Sequence, residues 1–323
     1  MTVACAPGKV ILFGEHAVVY GRPAIAVPVR QVQACATIEE APPGEGLVID
    51  ATDLNVCCQL GTATCPDHPA FPLETTVRHT LQKLGIERVP DITLRVCSTV
   101  PMARGLGSGA AVATAIVRAL SRHFHYDISP LEVSKLVYQT EIIHHGTPSG
   151  IDNTVVAFEQ PVYFVRGQPI QVLAVRRPFW LVIADTGVAS PTKIAVADVR
   201  RSWEQQRRAF EALFDEIAAI AIRAAEAISN GEISVLGPLM NENHGMLARL
   251  GVSSPELEQL VHAAREAGAS GAKLCGGGRG GNMIAQVSLQ QAEPVATALR
   301  AAGATDVIVS CVEATTGPER TPG

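Results

Sequence analysis

Pro101-Met102-Ala103-Arg104-Gly105-Leu106-Gly107-Ser108-Gly109-Ala110-Ala111 joins a strand-like run to a helix-like one, and its reading decides the fold. Upstream, Asp91 to Val96 alternates apolar and polar residues. Downstream, Ala113, Ile116, Val117, Leu120 and Phe124 recur at three and four residues, the stripe of a helix packed on one side. Glycine accepts backbone angles that a Cβ forbids, so successive N–H groups can converge here, at the positive end of a helix dipole. Phosphate is the guest such a turn invites. A second cluster, Gly276-Gly277-Gly278-Arg279-Gly280-Gly281, precedes the strand-like Asn282 to Val287. Neither cluster ends in Lys followed by Ser or Thr, which excludes the common nucleotide-binding loop.

Working outward, Thr2 to Ala41 reads as two or three strands around a bend containing Gly and His. Ser129-Pro130-Leu131-Glu132 combines an N-cap serine, a first-turn proline and a glutamate three residues on, which predicts a helix from Pro130 to about His145. Glu141 falls close to the apolar stripe of that helix, an awkward place for a carboxylate. Gly146, Pro148 and Gly150 end it, and Asp152 follows in a turn-like stretch before Thr154 to Phe158. Phe179 to Ala184 reads as a buried strand. One long helix then carries Val199, Trp203, Phe210, Leu213, Ile217, Ala221 and Ile228 as far as Gly231. Ser254-Pro255 opens another helix ending near Gly268, and a last helix gives way to Asp306 to Val312. This alternation sets a domain boundary near residue 175, with domains over 1–175 and 176–315 and a disordered tail over 316–323.

The 323 residues are 47% hydrophobic and 18% charged, the balance of a compact enzyme well away from the disordered regime. A net charge of −5 gives no electrostatic footprint for nucleic acid or an anionic membrane surface, so a small ligand is favoured over a polymer. No membrane-spanning run and no signal peptide is legible, which places the protein in the cytoplasm. The eight cysteines are scattered without a Cys-x-x-Cys pair, and the expectation is reduced, buried thiols. Cys57, Cys58, Cys65 and His68 form one cluster, but adjacent cysteines seldom face one metal, so ordinary burial is favoured over zinc. His144 and His145 are neighbours on a helix and point about 100° apart, which disfavours a metal pair.

A phosphate-holding backbone becomes a phosphoryl-transfer site when a base or orienter, a cation and a magnesium-holding carboxylate are added. Three segments offer them: Ala6-Pro7-Gly8-Lys9 through Gly14-Glu15-His16-Ala17-Val18-Val19-Tyr20-Gly21, the opening stretch, and Lys273-Leu274-Cys275 with its glycine-rich loop. In this order and spacing they resemble the motifs of the small-molecule kinases named for galactokinase, homoserine kinase, mevalonate kinase and phosphomevalonate kinase. The resemblance covers nearly the whole chain. The Gly14-to-Gly21 segment and Glu141-Ile142-Ile143-His144-His145-Gly146-Thr147-Pro148-Ser149-Gly150-Ile151-Asp152-Asn153 look like the mevalonate kinase branch.

That resemblance implies a two-domain α+β fold. Its N-terminal domain is like the second domain of ribosomal protein S5, its C-terminal domain is ferredoxin-like, and the active site lies in a cleft between them. It implies phosphorylation of the primary hydroxyl of mevalonate by ATP with Mg2+. Asp152 takes the place of the catalytic aspartate, and Lys9 that of the lysine reaching Asp152 and the transferring group. Ser98 and the run Ala103, Arg104, Gly105, Leu106, Gly107, Ser108 and Gly109 take the place of the ATP contacts. Glu15, His16, Asp152, Thr192 and Gly277 fall on the substrate side, and Glu141 on the magnesium ligand. In most relatives a second serine, a magnesium ligand, follows Gly-Leu-Gly-Ser; here that position is Gly109. Either Ser108 or a water substitutes for it. A kinase for phosphomevalonate or a sugar, and a ligand-sensing homologue without catalysis, stay open as alternatives, as does a homodimer. Arg104 and Arg279 also admit a plainer reading as solvated loop charges, and the loop at 276–281 one as a close approach of strands.

Overall fold

The computed structural model describes residues 1–315 except 52, 54, 64, 66, 103, 147, 190 and 191, together with all side chains of those residues but His144 and His145. The expected tail at 316–323 and the expected ATP contact at Ala103 lie outside the described residues. The fold is α+β. It divides into two compact units, the first comprising 1–9, 29–102 and 107–159 and the second 10–28, 103–106 and 160–323.

In the first unit the early residues of β1 (Thr2–Phe13) and the later ones of β2 (Ala24–Glu40) belong to one sheet with β3 (Leu47–Ala51), β4 (Val56–Gln59) and β5 (Ile92–Ser98), β1 pairing with β2. Residues 34–40 of β2 run antiparallel to β5, β3 runs parallel to β5, and β4 closes the edge. The burial of β2 and β5 alternates, as expected of strands with one solvated face. Helices α1 (Phe71–Lys83), α2 (Ser108–His123), α3 (Pro130–His145) and α4 (Ile151–Phe158) pack on one another over a core of Ile38, Leu94, Ile116, Val137 and Val155.

Local chemistry sets the helix starts. Gly107, at φ 76°, opens α2, and Ser129 and Glu132 form the anticipated capping box on α3. Asp152 does not sit in a turn. Gly150, at φ 96°, caps a helix that begins at Ile151, and Ile151, Val155 and Val156 bury its apolar side, so Gly150, which reads as loop, is the N-cap of α4.

The cysteine expectation fails. Cys5 and Cys35 form a disulfide between β1 and β2, and of the cysteines outside it Cys57, Cys65 and Cys97 are exposed whereas Cys275 is buried. Scattered spacing hides a pair that meets only when two strands lie side by side.

In the second unit, β6 (Val162–Phe164) pairs with residues 24–26 of β2, and β7 (Gln171–Val172) pairs with β6. After β8 (Phe179–Asp185) the anticipated single long helix is two, α5 (Thr192–Gln205) and α6 (Arg207–Asn230). Gln206 departs from helical angles (φ −130°, ψ 48°), a one-residue break that an apolar period cannot register. The Trp203 indole N–H donates to Glu211 across it at 2.9 Å. There follow α7 (Leu236–Arg249), α8 (Pro255–Glu266), β9 (Gly271–Leu274), β10 (Asn282–Val287), α9 (Leu289–Ala301) and β11 (Asp306–Val312).

The antiparallel sheet runs β11-β8-β10-β9, with α8 and α9 laid on it around Leu213, Phe214, Leu257, Met283 and Leu299. Helix α7 crosses β9 backbone to backbone: a Cβ on Gly271 would collide with the Gly237 carbonyl. Only glycine fits that crossing. Among the described residues, no helix is long and apolar enough to cross a membrane.

Candidate functional site

Lys9 and Asp152, 143 positions apart in sequence, meet in the first unit. Lys9 Nζ lies 2.8 Å from Asp152 Oδ2; the lysine side chain is 3% exposed and the aspartate 26%. The lysine stem runs along the glycine turn, since a Cβ on Gly107 would stand 2.8 Å from its Cγ and 3.0 Å from its Cε. Gly107 is thus required twice, for its positive φ and for the passage of Lys9. Asp152 lies in the first turn of α4, where the helix dipole favours an anion.

Glu141, on the adjacent α3, is buried. Burial first, and then the negative charge of Asp152, push its carboxyl up to about 8, against the pull of Lys9. Two carboxyl groups gathered around one ammonium form a site that favours a further cation. That donor set fits magnesium, a hard cation usually held by one or two carboxylates together with phosphate oxygens and water. Among the described residues no group of three or more His, Cys, Asp or Glu converges on a metal position. Glu141, buried beside the Lys9–Asp152 pair, is the candidate ligand.

Ser108 and Gly109 form the first turn of α2, whose leading N–H groups have no partner within a helix. Ser98 ends β5, and its hydroxyl accepts from the Val100 N–H at 3.1 Å.

The remaining predicted residues fall in the second unit. His16, with φ 60°, places Nε2 3.0 Å from the Gly277 carbonyl oxygen. Its pKa is lowered to about 4 by burial, which outweighs the Gly277 hydrogen bond. Gly277 in turn abuts Thr192, whose Cα and Oγ1 would lie 3.2 Å from an added Cβ. His16, Gly277 and Thr192 thus form one wall.

Glu15 points elsewhere. It is fully buried in an ion pair with Lys273 and accepts from the Asn243 amide at 3.1 Å. Lys273 also donates to the Leu274 carbonyl at 2.7 Å. Lys273 belongs to the third motif, whose sequence gives it no role, and Asn243 on α7 carries no sequence signal of its own. Arg104 Nη1 lies 3.1 Å from Asp185 Oδ1. Arg279 pairs with Asp198, so it is no free solvated charge.

The two glycine clusters differ in use. Gly105 and Gly276 approach each other, a Cβ on Gly276 standing 3.8 Å from the Gly105 Cα. In the later cluster, however, the Arg279 and Gly281 N–H groups are donated to the carbonyls of Val252 and Val188, at 2.7 and 2.9 Å. A Cβ on Gly278 would collide with the Val252 carbonyl oxygen. Much of that glycine serves close packing.

The chain is similar to known proteins in both sequence and fold. The models of the GHMP kinase N-terminal domain and of the GHMP kinase C-terminal domain match residues 73–160 and 224–305. The chain is 36% identical over 321 residues to a mevalonate kinase of Thermococcus sibiricus, covering 95% of each chain. It is 34% identical over 326 residues to one of Pyrococcus abyssi, with the same coverage. Among solved structures, L. major mevalonate kinase in complex with R-mevalonate superposes with a TM-score of 0.83 at 29% identity, covering 98% of this chain and 97% of that one.

Proposed function

The chain belongs to the GHMP kinases and, within them, to the mevalonate kinases, and from that premise we propose that it transfers the γ-phosphoryl group of ATP to the primary hydroxyl of mevalonate, giving 5-phosphomevalonate and ADP. The observation that carries this reading is the 2.8 Å contact between Lys9 and Asp152 beside the glycine turn.

Asp152 orients the acceptor hydroxyl and takes its proton as the oxygen attacks phosphorus. Lys9, 2.8 Å from that carboxylate, offsets its charge and stabilises negative charge developing on the phosphoryl oxygens. The N–H groups of the turn from Arg104 to Gly109 and of the first turn of α2 hold the phosphates, and Ser98 contacts the nucleotide. His16, Thr192 and Gly277 receive the acceptor. Glu15 serves the acceptor side through its place next to His16 in the chain, its own oxygens being engaged by Lys273 and Asn243. Glu141 holds magnesium, with Ser108 or a water replacing the hydroxyl absent at Gly109. When bound, the ion offsets charge on the transferring group. Both reactants are small and charged, which fits a reaction in the cytoplasm.

An ADP-release assay with magnesium and ATP over mevalonate, phosphomevalonate, homoserine and galactose tests the assignment. Mevalonate is expected to lead in kcat/KM by about a hundredfold or more, the scale on which a polar pocket rejects mismatched substrates. Preference for phosphomevalonate or galactose moves the chain to another branch of the family. Binding of ATP and mevalonate without ADP release makes it a ligand-sensing homologue.

A further inference from the structure

Arg104 opens the first glycine turn, and two residues from neighbouring strands hold it at both ends. Asp185 is the last residue of β8 and Asn282 the first of β10, and they stand directly opposite each other in the antiparallel register. Asp185 Oδ1 accepts from the Arg104 guanidinium at 3.1 Å and from the Gly187 N–H at 2.8 Å. The Asn282 side-chain amide donates to the Arg104 carbonyl. Asp185 and Asn282 are both buried while the Arg104 side chain is 25% exposed, so water has only partial access to the two bonds.

A trans peptide is planar, with its C=O and N–H pointing in opposite directions. Anchoring the Arg104 carbonyl therefore fixes the direction of the Gly105 N–H, which lies in the same peptide plane. A glycine turn left free would sample many backbone states, and ordering it around a phosphate would cost affinity. A clamp ordered before the ligand arrives removes that cost. The carboxylate of Asp185 would by itself repel a phosphate; paired with Arg104, its charge is offset.

We propose that Asp185 and Asn282 are positioning residues for ATP, acting through Arg104, whose guanidinium is a tether of the glycine turn and not a phosphate ligand. This rests on the reading that the turn holds the phosphates of ATP.

The test is the Kd for ATP, measured by calorimetry without an acceptor, alongside KM for each substrate and the melting temperature. Asn282→Ala and Asp185→Asn are each expected to weaken ATP about tenfold, the effect of losing one charge-assisted or buried hydrogen bond. KM for mevalonate and the melting temperature should stay near wild type. Arg104→Ala should match Asp185→Asn, and the double variant should be no weaker than either single one. Arg104→Lys, which retains a cation facing Asp185, should recover most of the affinity.

Two results would overturn the clamp. In one, Arg104→Ala weakens ATP while Asp185→Asn, which removes the charge opposing the guanidinium, leaves it unchanged or tighter; Arg104 is then a phosphate ligand. In the other, KM for both substrates rises together with a fall in melting temperature, which makes the contacts merely structural. Because Kd is read without an acceptor, a wild-type protein that binds ATP but phosphorylates no alcohol sinks the kinase reading separately.

Discussion

Among the described residues, a buried lysine pairs with a carboxylate at Lys9–Asp152 and at Lys273–Glu15, and the two pairs are built for opposite purposes. Lys273 and Glu15 are both fully buried, and each makes a further hydrogen bond, Lys273 donating to the Leu274 carbonyl and Glu15 accepting from the Asn243 amide. One positive charge meets one negative charge, and water reaches neither. Lys9 and Asp152 lie 2.8 Å apart, but the aspartate is 26% exposed and a second acid, Glu141, presses on the pair. There a further cation or a proton is favoured. Charge balance and access, more than residue type, separate a structural ion pair from a reactive one.

Breaking the reactive pair is expected to give the largest effect. Asp152→Asn removes the proton acceptor but keeps the side-chain shape, so kcat should fall by about 10³-fold or more while ATP affinity stays near wild type. Stability should hold or rise, because the variant also removes the negative charge acting on Glu141. Steady-state kinetics and a nucleotide titration check this, and near-normal turnover would remove Asp152 from the mechanism.

Breaking the sealed pair should instead cost stability. Lys273→Met leaves Glu15 as an uncompensated buried charge and is expected to cost about 3–5 kcal/mol in denaturant unfolding. Combining it with Glu15→Leu should restore much of that loss, since two apolar residues satisfy each other. Lys9→Met, by contrast, should fold normally and fail in turnover. If Lys273→Met also folds normally and loses only activity, the two pairs are not different in kind.

The first unit has a covalent staple of its own in the Cys5–Cys35 bond, which closes a separation of 30 residues. Constraint of the unfolded chain over such a loop is worth about 3–4 kcal/mol. Reduction, or Cys5→Ala with Cys35→Ala, should therefore lower stability by that order while Lys9 and Asp152 keep their contact. Unfolding midpoints with and without reductant measure the first effect, and turnover of the reduced protein the second.

What is legible in the chain is local. The capping box at Ser129 and Glu132 and the stripe from Ala113 to Phe124 place α3 and α2, because both signals lie within a few turns of the structure they specify. Lys9, Asp152 and Glu141 stand in short motifs, and the first two do meet. The Glu15–Lys273 pair, 258 residues apart, leaves no local trace. Nor does the disulfide, or the backbone crossing of Gly237 and Gly271. Each is made by strands and helices that come together only on folding. The break at Gln206 is hidden for another reason: the apolar period continues across it, so hydrophobic spacing registers no interruption.

The smallest expected effect follows from pH and separates the two units by sign. His16 in the second unit has a folded pKa of about 4 against an ordinary 6.5, with burial as the main cause. Between those values the unfolded chain binds the proton and the folded one does not, so stability is present above pH 6.5 and lost as pH falls towards 4. The full span is worth about 3 kcal/mol at most. Glu141 in the first unit runs the other way. Its folded value of about 8 lies above the ordinary 4.5, so the folded state holds a proton that the unfolded chain has released, and stability is lost as pH rises from 4.5 towards 8. Thermal unfolding across pH 4 to 8 should therefore show His16→Gln flattening the acid limb and Glu141→Gln flattening the alkaline one. Burial favours the neutral form of each residue and so by itself gives the two opposite signs; two variants with the same slope change would mean that one of the two groups is not held neutral in the folded protein.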